Sequence, residues 1–226
     1  NLKYMILRAT FGTVGILCNF YAVDHLVLSD ASMLNKMSPF FVILFSFLIL
    51  KEKLTPIQVT AVCGAFIGSL FIIKPTFLNM NIVPSLIGLC GGLCAGIAYT
   101  MVRVLGQRGQ KGVSVVLFFS GFSCLVTLPY LLLNYHTMSM WQGIVLLGAG
   151  VAAAGGQFAI TAAYYHAPAR EISVYDYSQI IFSAIIGFAL FHQIPDRYSV
   201  LGYVIIIGMA VWMFFYNQRR DASDVK

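Results

Sequence analysis

The chain has 226 residues, 59% of them hydrophobic and 10% charged, with a mean hydropathy of +0.84 and a formal net charge of +6. No soluble domain of this size can hide that much apolar surface. The positive balance is scattered over short connectors, so it is no nucleic-acid signal, and roughly 160 residues inside membrane leave no room for an extramembrane enzyme domain.

A hydrocarbon core about 30 Å thick takes about 20 helical residues to cross, and its lack of water forces each backbone group to bond within its own segment. Eight stretches reach that length, at roughly 5–24, 31–50, 56–73, 83–104, 113–133, 141–164, 172–191 and 197–217. The predicted fold is an all-α polytopic membrane helical bundle. Span 1 carries one polar candidate, Asn19. Span 2 carries Asn35, Lys36 and Ser38. Lys36 lies about 7 Å below the outer boundary at 1.5 Å per residue; it either snorkels to the headgroups or joins a polar lining. Asn35 and Ser38 share a helical face and point to a lining. Gly64 and Gly68 in span 3, and Gly88, Gly92 and Gly96 in span 4, recur at four-residue spacing as packing seams; they lack the strand-to-helix setting of a phosphate loop. Tyr99 follows in span 4.

Span 6 has a polar stripe. Gln157, Thr161, Tyr164 and Tyr165 fall on one face at i, i+4, i+7 and i+8. Interhelical hydrogen bonding for the first two and interfacial anchoring for the tyrosines are the plainer readings beside a substrate lining. Span 7 carries Asp176, Tyr177 and Gln179. Asp176 is too short to snorkel far, and reads either as a first-turn carboxylate favoured by the helix dipole or as a group on a water-filled path.

The five cysteines all fall inside spans and imply no disulfide framework. Cys90 and Cys94 share a face without a His or carboxylate beside them, so they read as packing residues and no metal site is expected. The four histidines sit at span ends without metal-ligand or nucleophile spacing. No Asn-x-Ser/Thr sequon occurs, which favours a bacterial protein and hence the inner membrane. Sorting Lys and Arg by alternating sides puts eleven on one side, Arg8, Lys51, Lys53, Arg103, Arg108, Lys111 and Arg170 among them, and three on the other, Lys36, Lys74 and Arg197. Both ends of the chain are therefore expected in the cytoplasm.

Sliding the chain on itself by 141 residues lays spans 1–3 on spans 6–8: Gly15 meets Gly156, Ala22 meets Ala163, Ser32 meets Ser173 and Phe47 meets Phe188. Asp30 then meets Glu171 and Asn35 meets Asp176. Five spans is an odd offset, so the copies cross in opposite directions, the inverted-topology repeat of secondary transporters. The expected organisation is three spans of a first repeat over 1–76, a complete five-span repeat over 82–218, and a cytoplasmic tail over 219–226. Eight of an expected ten spans are then present.

Several stretches carry a resemblance: Tyr21-Ala22, Ser29-Asp30-Ala31, Asn35-Lys36-Met37-Ser38-Pro39 and Leu50-Lys51-Glu52-Lys53-Leu54, then Ile72-Ile73-Lys74-Pro75. In the second half Gly156-Gln157, Ala163-Tyr164, Ala167-Pro168-Ala169 and Tyr177-Ser178-Gln179 continue it. Together they resemble the EamA-like branch of the drug/metabolite transporter superfamily, from its third helix to its tenth. The resemblance implies a permease for a small organic metabolite. His192-Gln193 departs from the acidic residue many members keep there, so the resemblance assigns no coupling acid at that position.

The expected function is secondary transport by alternating access, with no cofactor and with lipid bilayer and a small-molecule substrate as partners. Asn19, Asn35, Lys36, Ser38, Tyr99, Gln157, Thr161, Tyr164, Asp176, Tyr177 and Gln179 are the candidate substrate-binding residues, Asp176 being first choice for a proton carrier. Proton coupling and a homodimer are left open. The alternative is a non-transporting membrane subunit or sensor on the same fold.

Overall fold

The computed structural model describes residues 1–50, 55–73, 82–134, 137–166 and 178–224, and all regular structure among them is helical. The helices are α1 (Leu2–His25), α2 (Leu28–Asn35), α3 (Ser38–Leu50), α4 (Pro56–Ile73), α5 (Ile82–Gln107), α6 (Gly112–Leu133), α7 (Met140–His166), α8 (Ser178–Phe191) and α9 (Arg197–Asp224). Six stretches are long and apolar enough to cross a bilayer, with α2 and α3 counted together as Leu28–Ile49. Where spans 3 and 7 are expected, the apolar helices are shorter, Val59–Ile72 and Phe182–Phe191. Leu133, Leu147 and Val151 are at least 74% exposed. Such apolar surface would drive aggregation in water and suits lipid.

Span 2 is not the continuous helix its hydropathy predicts. It breaks at Lys36–Met37. Pro39 has no N–H to offer the Asn35 carbonyl four residues back, and its ring crowds that carbonyl. The chain tightens instead: the Met37 N–H bonds to Leu34 O at 3.2 Å, and the N–H groups of Phe40 and Phe41 both turn back to Met37 O. Lys36 is thereby drawn inward and is 8% exposed, which speaks against the snorkelling alternative.

The carbonyls around this break pack directly on α5. A Cβ added to Gly92 would lie 2.6 Å from Leu34 O, and one on Gly96 would lie 3.1 Å from Ser38 O and 2.5 Å from the Phe41 Cβ. Only glycine allows that approach. The same helix takes α1 on an adjoining face, where a Cβ at Gly15 would be 3.3 Å from Gly91 O and one at Gly88 would be 3.1 Å from the Ala22 Cβ. α1 and α5 therefore run antiparallel. So do α4 and α9, where Gly64 meets Met209 and Gly68 meets Gly202, Ile205 and Ile206.

The ends of the bundle sort as alternating crossings require. At one end Asn1 Nδ2 donates to Gln110 Oε1 (3.2 Å), Tyr165 Oη donates to Gln110 O (2.7 Å) and the Arg108 guanidinium lies 4.4 Å over the Tyr4 ring. At the other end the Leu28 N–H, opening α2, donates to Gln193 Oε1 at 2.9 Å. Met33, Leu34, Met37 and Phe40 of the broken span are almost wholly buried and share the main apolar core with Ala61 and Ala65 of α4 and Ile206, Ala210 and Met213 of α9.

Gly92→Ala should cost about 1–3 kcal/mol, because the neighbour it strikes is backbone and cannot rotate away. Gly148→Ala, with nothing within 4 Å of the new methyl, should cost nothing. Thermal denaturation of the two purified variants, followed by size-exclusion chromatography in detergent, checks the pair; equal midpoints would contradict the seam.

Candidate substrate cavity

A cavity of about 170 Å³ opens between α1, α5, α6, α7 and the break in span 2. Its α1 wall is Arg8, Gly12, Gly15, Ile16 and Asn19, a single stripe at i, i+4, i+7, i+8 and i+11. Asn35 enters from the last turn of α2, Ala95, Ala98 and Tyr99 from α5, Phe119 from α6 and Gln157 from α7. Three amides and a phenol thus face one charged group.

That group is Arg8, 3% exposed. Its Nη2 donates to Gln157 Oε1 at 3.1 Å and its guanidinium carbon stands 4.0 Å from the centre of the Phe119 ring, a cation–π contact. Nε is buried with no hydrogen-bond partner among the described residues. The side chain folds along its own helix: a Cβ on Gly12 would come within 2.1 Å of Nη1 and 2.8 Å of the Phe119 ring. Glycine one turn on is what leaves room for the guanidinium. Arg8 is therefore not a connector charge fixing topology, as its sorting with the loop residues had it. Without Arg8 and the equally buried Lys36, the bias of connector charges is ten to two.

Asn19, Asn35, Tyr99 and Gln157, four of the expected site residues, are brought together in this wall. Tyr164 is buried next to it, its ring stacked on Tyr99 at 4.8 Å and 12°. Thr161 is buried on the same α7 stripe, and its Oγ1 has no hydrogen-bond partner among the described residues. Tyr165 turns instead to the α5–α6 connector, where it bonds Gln110 O and packs on Gly106. Lys36 and Ser38 are buried in the break and do not line the cavity. Gln179 is exposed at the start of α8. Asp176 and Tyr177 lie outside the described residues.

A second polar cluster sits on the other side of the broken span. Tyr203 of α9 donates to the buried carboxylate of Asp30 and lies 3.0 Å from Ser29 Oγ, while Ser32 and Ser183 hydroxyls meet at 2.8 Å. These contacts tie α2 to α8 and α9.

The EamA-like transporter family profile matches residues 1–74 and 86–215. The chain belongs to that family. It is 32% identical to the pseudopaline exporter CntI of Pseudomonas aeruginosa, over 92% of this chain and 73% of that protein. A riboflavin transporter of Brucella anthropi is 27% identical over 96% of this chain and 77% of its own. An S-adenosylmethionine uptake transporter of Rickettsia prowazekii is 23% identical over 97% of this chain and 74% of its own. One crystal structure superposes with a TM-score of 0.55 at 18% identity, covering 92% of this chain and 86% of the other, and shows the fold alone. EamA-like membership makes this a membrane transporter chain.

Gln157→Leu strips Arg8 of its described acceptor inside the bundle and should cost about 1–3 kcal/mol of stability. In an Arg8→Met background the same change should cost at least about 1 kcal/mol less, since the two effects share one contact. A double-mutant cycle on purified protein measures this; additive losses would mean the side chains are not coupled.

Proposed function

We propose that this protein is a secondary transporter that carries a small organic metabolite across the bacterial inner membrane by alternating access, with the Arg8 cavity as its substrate site. The observation that carries the reading is that cavity: a charged and amide-lined space inside helices that otherwise turn apolar surface outward. Polar groups in hydrocarbon each cost several kcal/mol unless they are paired or line a path. Asn19, Asn35, Tyr99 and Gln157 supply hydrogen bonds to the cargo, and Phe119 with the Tyr99–Tyr164 stack keeps water from crossing. Thr161 extends the same surface one turn along α7.

Alternating access draws support from the α4–α9 crossing. Gly64 faces Met209 and Gly68 faces Ile205, and under the 141-residue shift each contact is the image of the other. A two-fold axis in the membrane plane generates such pairs. The break in span 2 is the second support, since interrupted helices in this class of protein mark where substrate is held. Relatives named for export and for uptake stand side by side, so no direction is carried over. Energy comes from a substrate or proton gradient, with Asp176 as the proton carrier if protons are used. Both ends of this chain face the cytoplasm in this reading, which shielding of terminal tags from external protease would report.

Uptake of a radiolabelled metabolite panel into proteoliposomes of the full-length protein tests the proposal. Asn35→Ala and Gln157→Ala should each slow transport of the accepted substrate, per molecule of reconstituted protein, roughly threefold to tenfold, the loss of about one hydrogen bond. Wild-type rates in both variants would remove the cavity from the transport path.

A further inference from the structure

We infer that the cargo carries an oxyanion, a carboxylate or a phosphate, which Arg8 receives inside the cavity; this rests on the cavity being the substrate site. A guanidinium presents five N–H donors and stays charged under all physiological conditions. At Arg8 the described partners are one amide oxygen and one aromatic face, both neutral. Among the described residues no carboxylate lies within ion-pairing distance of it, and its Nε–H is buried without an acceptor.

Every other residue lining the cavity is neutral, so the space carries one net positive charge. A buried cation left in that state is expensive, and an incoming anion removes the cost. The planar fork of arginine fits the two oxygens of a carboxylate, or two of a phosphate, better than any other side chain does. Gly12 leaves the fork its space and the Phe119 ring lies 4.0 Å from its central carbon. Asn19, Asn35 and Tyr99 stand around it with donors and acceptors for the rest of the molecule.

The test uses purified full-length protein and a panel of amino acids, di- and tricarboxylates, phosphate monoesters and inorganic phosphate. Each organic member is paired with its amide or its dephosphorylated counterpart. Thermal stabilisation reads binding without flux, and uptake into proteoliposomes reads transport. Stabilising compounds should all carry an oxyanion, with the neutral counterparts about tenfold weaker or more. Carboxylate and phosphate arms separate the two chemistries. Arg8→Gln should erase the preference, and Arg8→Lys should keep it with weaker binding.

Stabilisation by neutral counterparts as strong as by the acids overturns the inference, as does a panel in which no oxyanion stabilises the wild type. Transport of neutral compounds with full activity in Arg8→Gln overturns it while leaving the transporter reading standing. Oxyanion binding that is lost in Arg8→Gln, with no flux of any compound, keeps the inference and defeats that reading instead. Asp176 is the carboxylate to exclude as an internal partner. If Arg8→Gln fails to fold and Arg8→Gln with Asp176→Asn recovers both folding and wild-type oxyanion affinity, Arg8 serves Asp176 and the inference falls.

Discussion

Hydrocarbon offers no water to a polar group, so the backbone of every crossing must be satisfied by the protein itself. In this bundle the glycine face of α5 lets three other helices pack backbone to backbone at once, away from hydrocarbon. Gly88, Gly91, Gly92 and Gly96 let α1 and both halves of span 2 approach to backbone distance. The Asn35 carbonyl, which Pro39 leaves without its helical donor, is pressed with that of Leu34 onto this face and not onto lipid. A longer side chain at Gly92 would push the break away and expose them.

The same packing makes the cavity. Because the break is held at mid-bundle, Asn35 is delivered beside the α1 stripe that carries Arg8 and Asn19. Lys36, at the end of α2, sits where the helix dipole is negative and a cation is favoured. Arg8 solves its burial differently, through Gln157, the Phe119 face and the gap at Gly12. Stability and site share one set of contacts, and a change that loosens the seam should loosen the site with it.

Much of this was legible in the chain. Span lengths follow from bilayer thickness, and the polar stripe of α7 follows from helical periodicity; Thr161 and Tyr164 are buried while most of that helix is exposed. The seams at Gly64, Gly68, Gly88, Gly92 and Gly96 followed from four-residue spacing. Other features were hidden for stated reasons. A hydropathy window averages over Pro39, so the break in span 2 stayed invisible although the proline itself was in view. Arg8, near the start of a span, reads as a topology charge because its acceptor Gln157 is 149 residues away. Gly12 one turn after Arg8, inside an apolar run, was the signal that could have found it. Asp30 is visible in the sequence through its repeat partner and the Ser29-Asp30-Ala31 stretch, and its bond to Tyr203 is a tertiary fact.

The central claim is that the Arg8 cavity lies on the path of the cargo. Cysteine placed singly at Asn19 or Gln157, in a background lacking the five native cysteines, tests it through a membrane-impermeant thiol reagent. The account predicts labelling from the outside in intact cells and from the inside in inverted vesicles, both suppressed by the transported compound. Labelling from neither side, with reaction only towards lipid-soluble reagents, would place these residues off the path and contradict it.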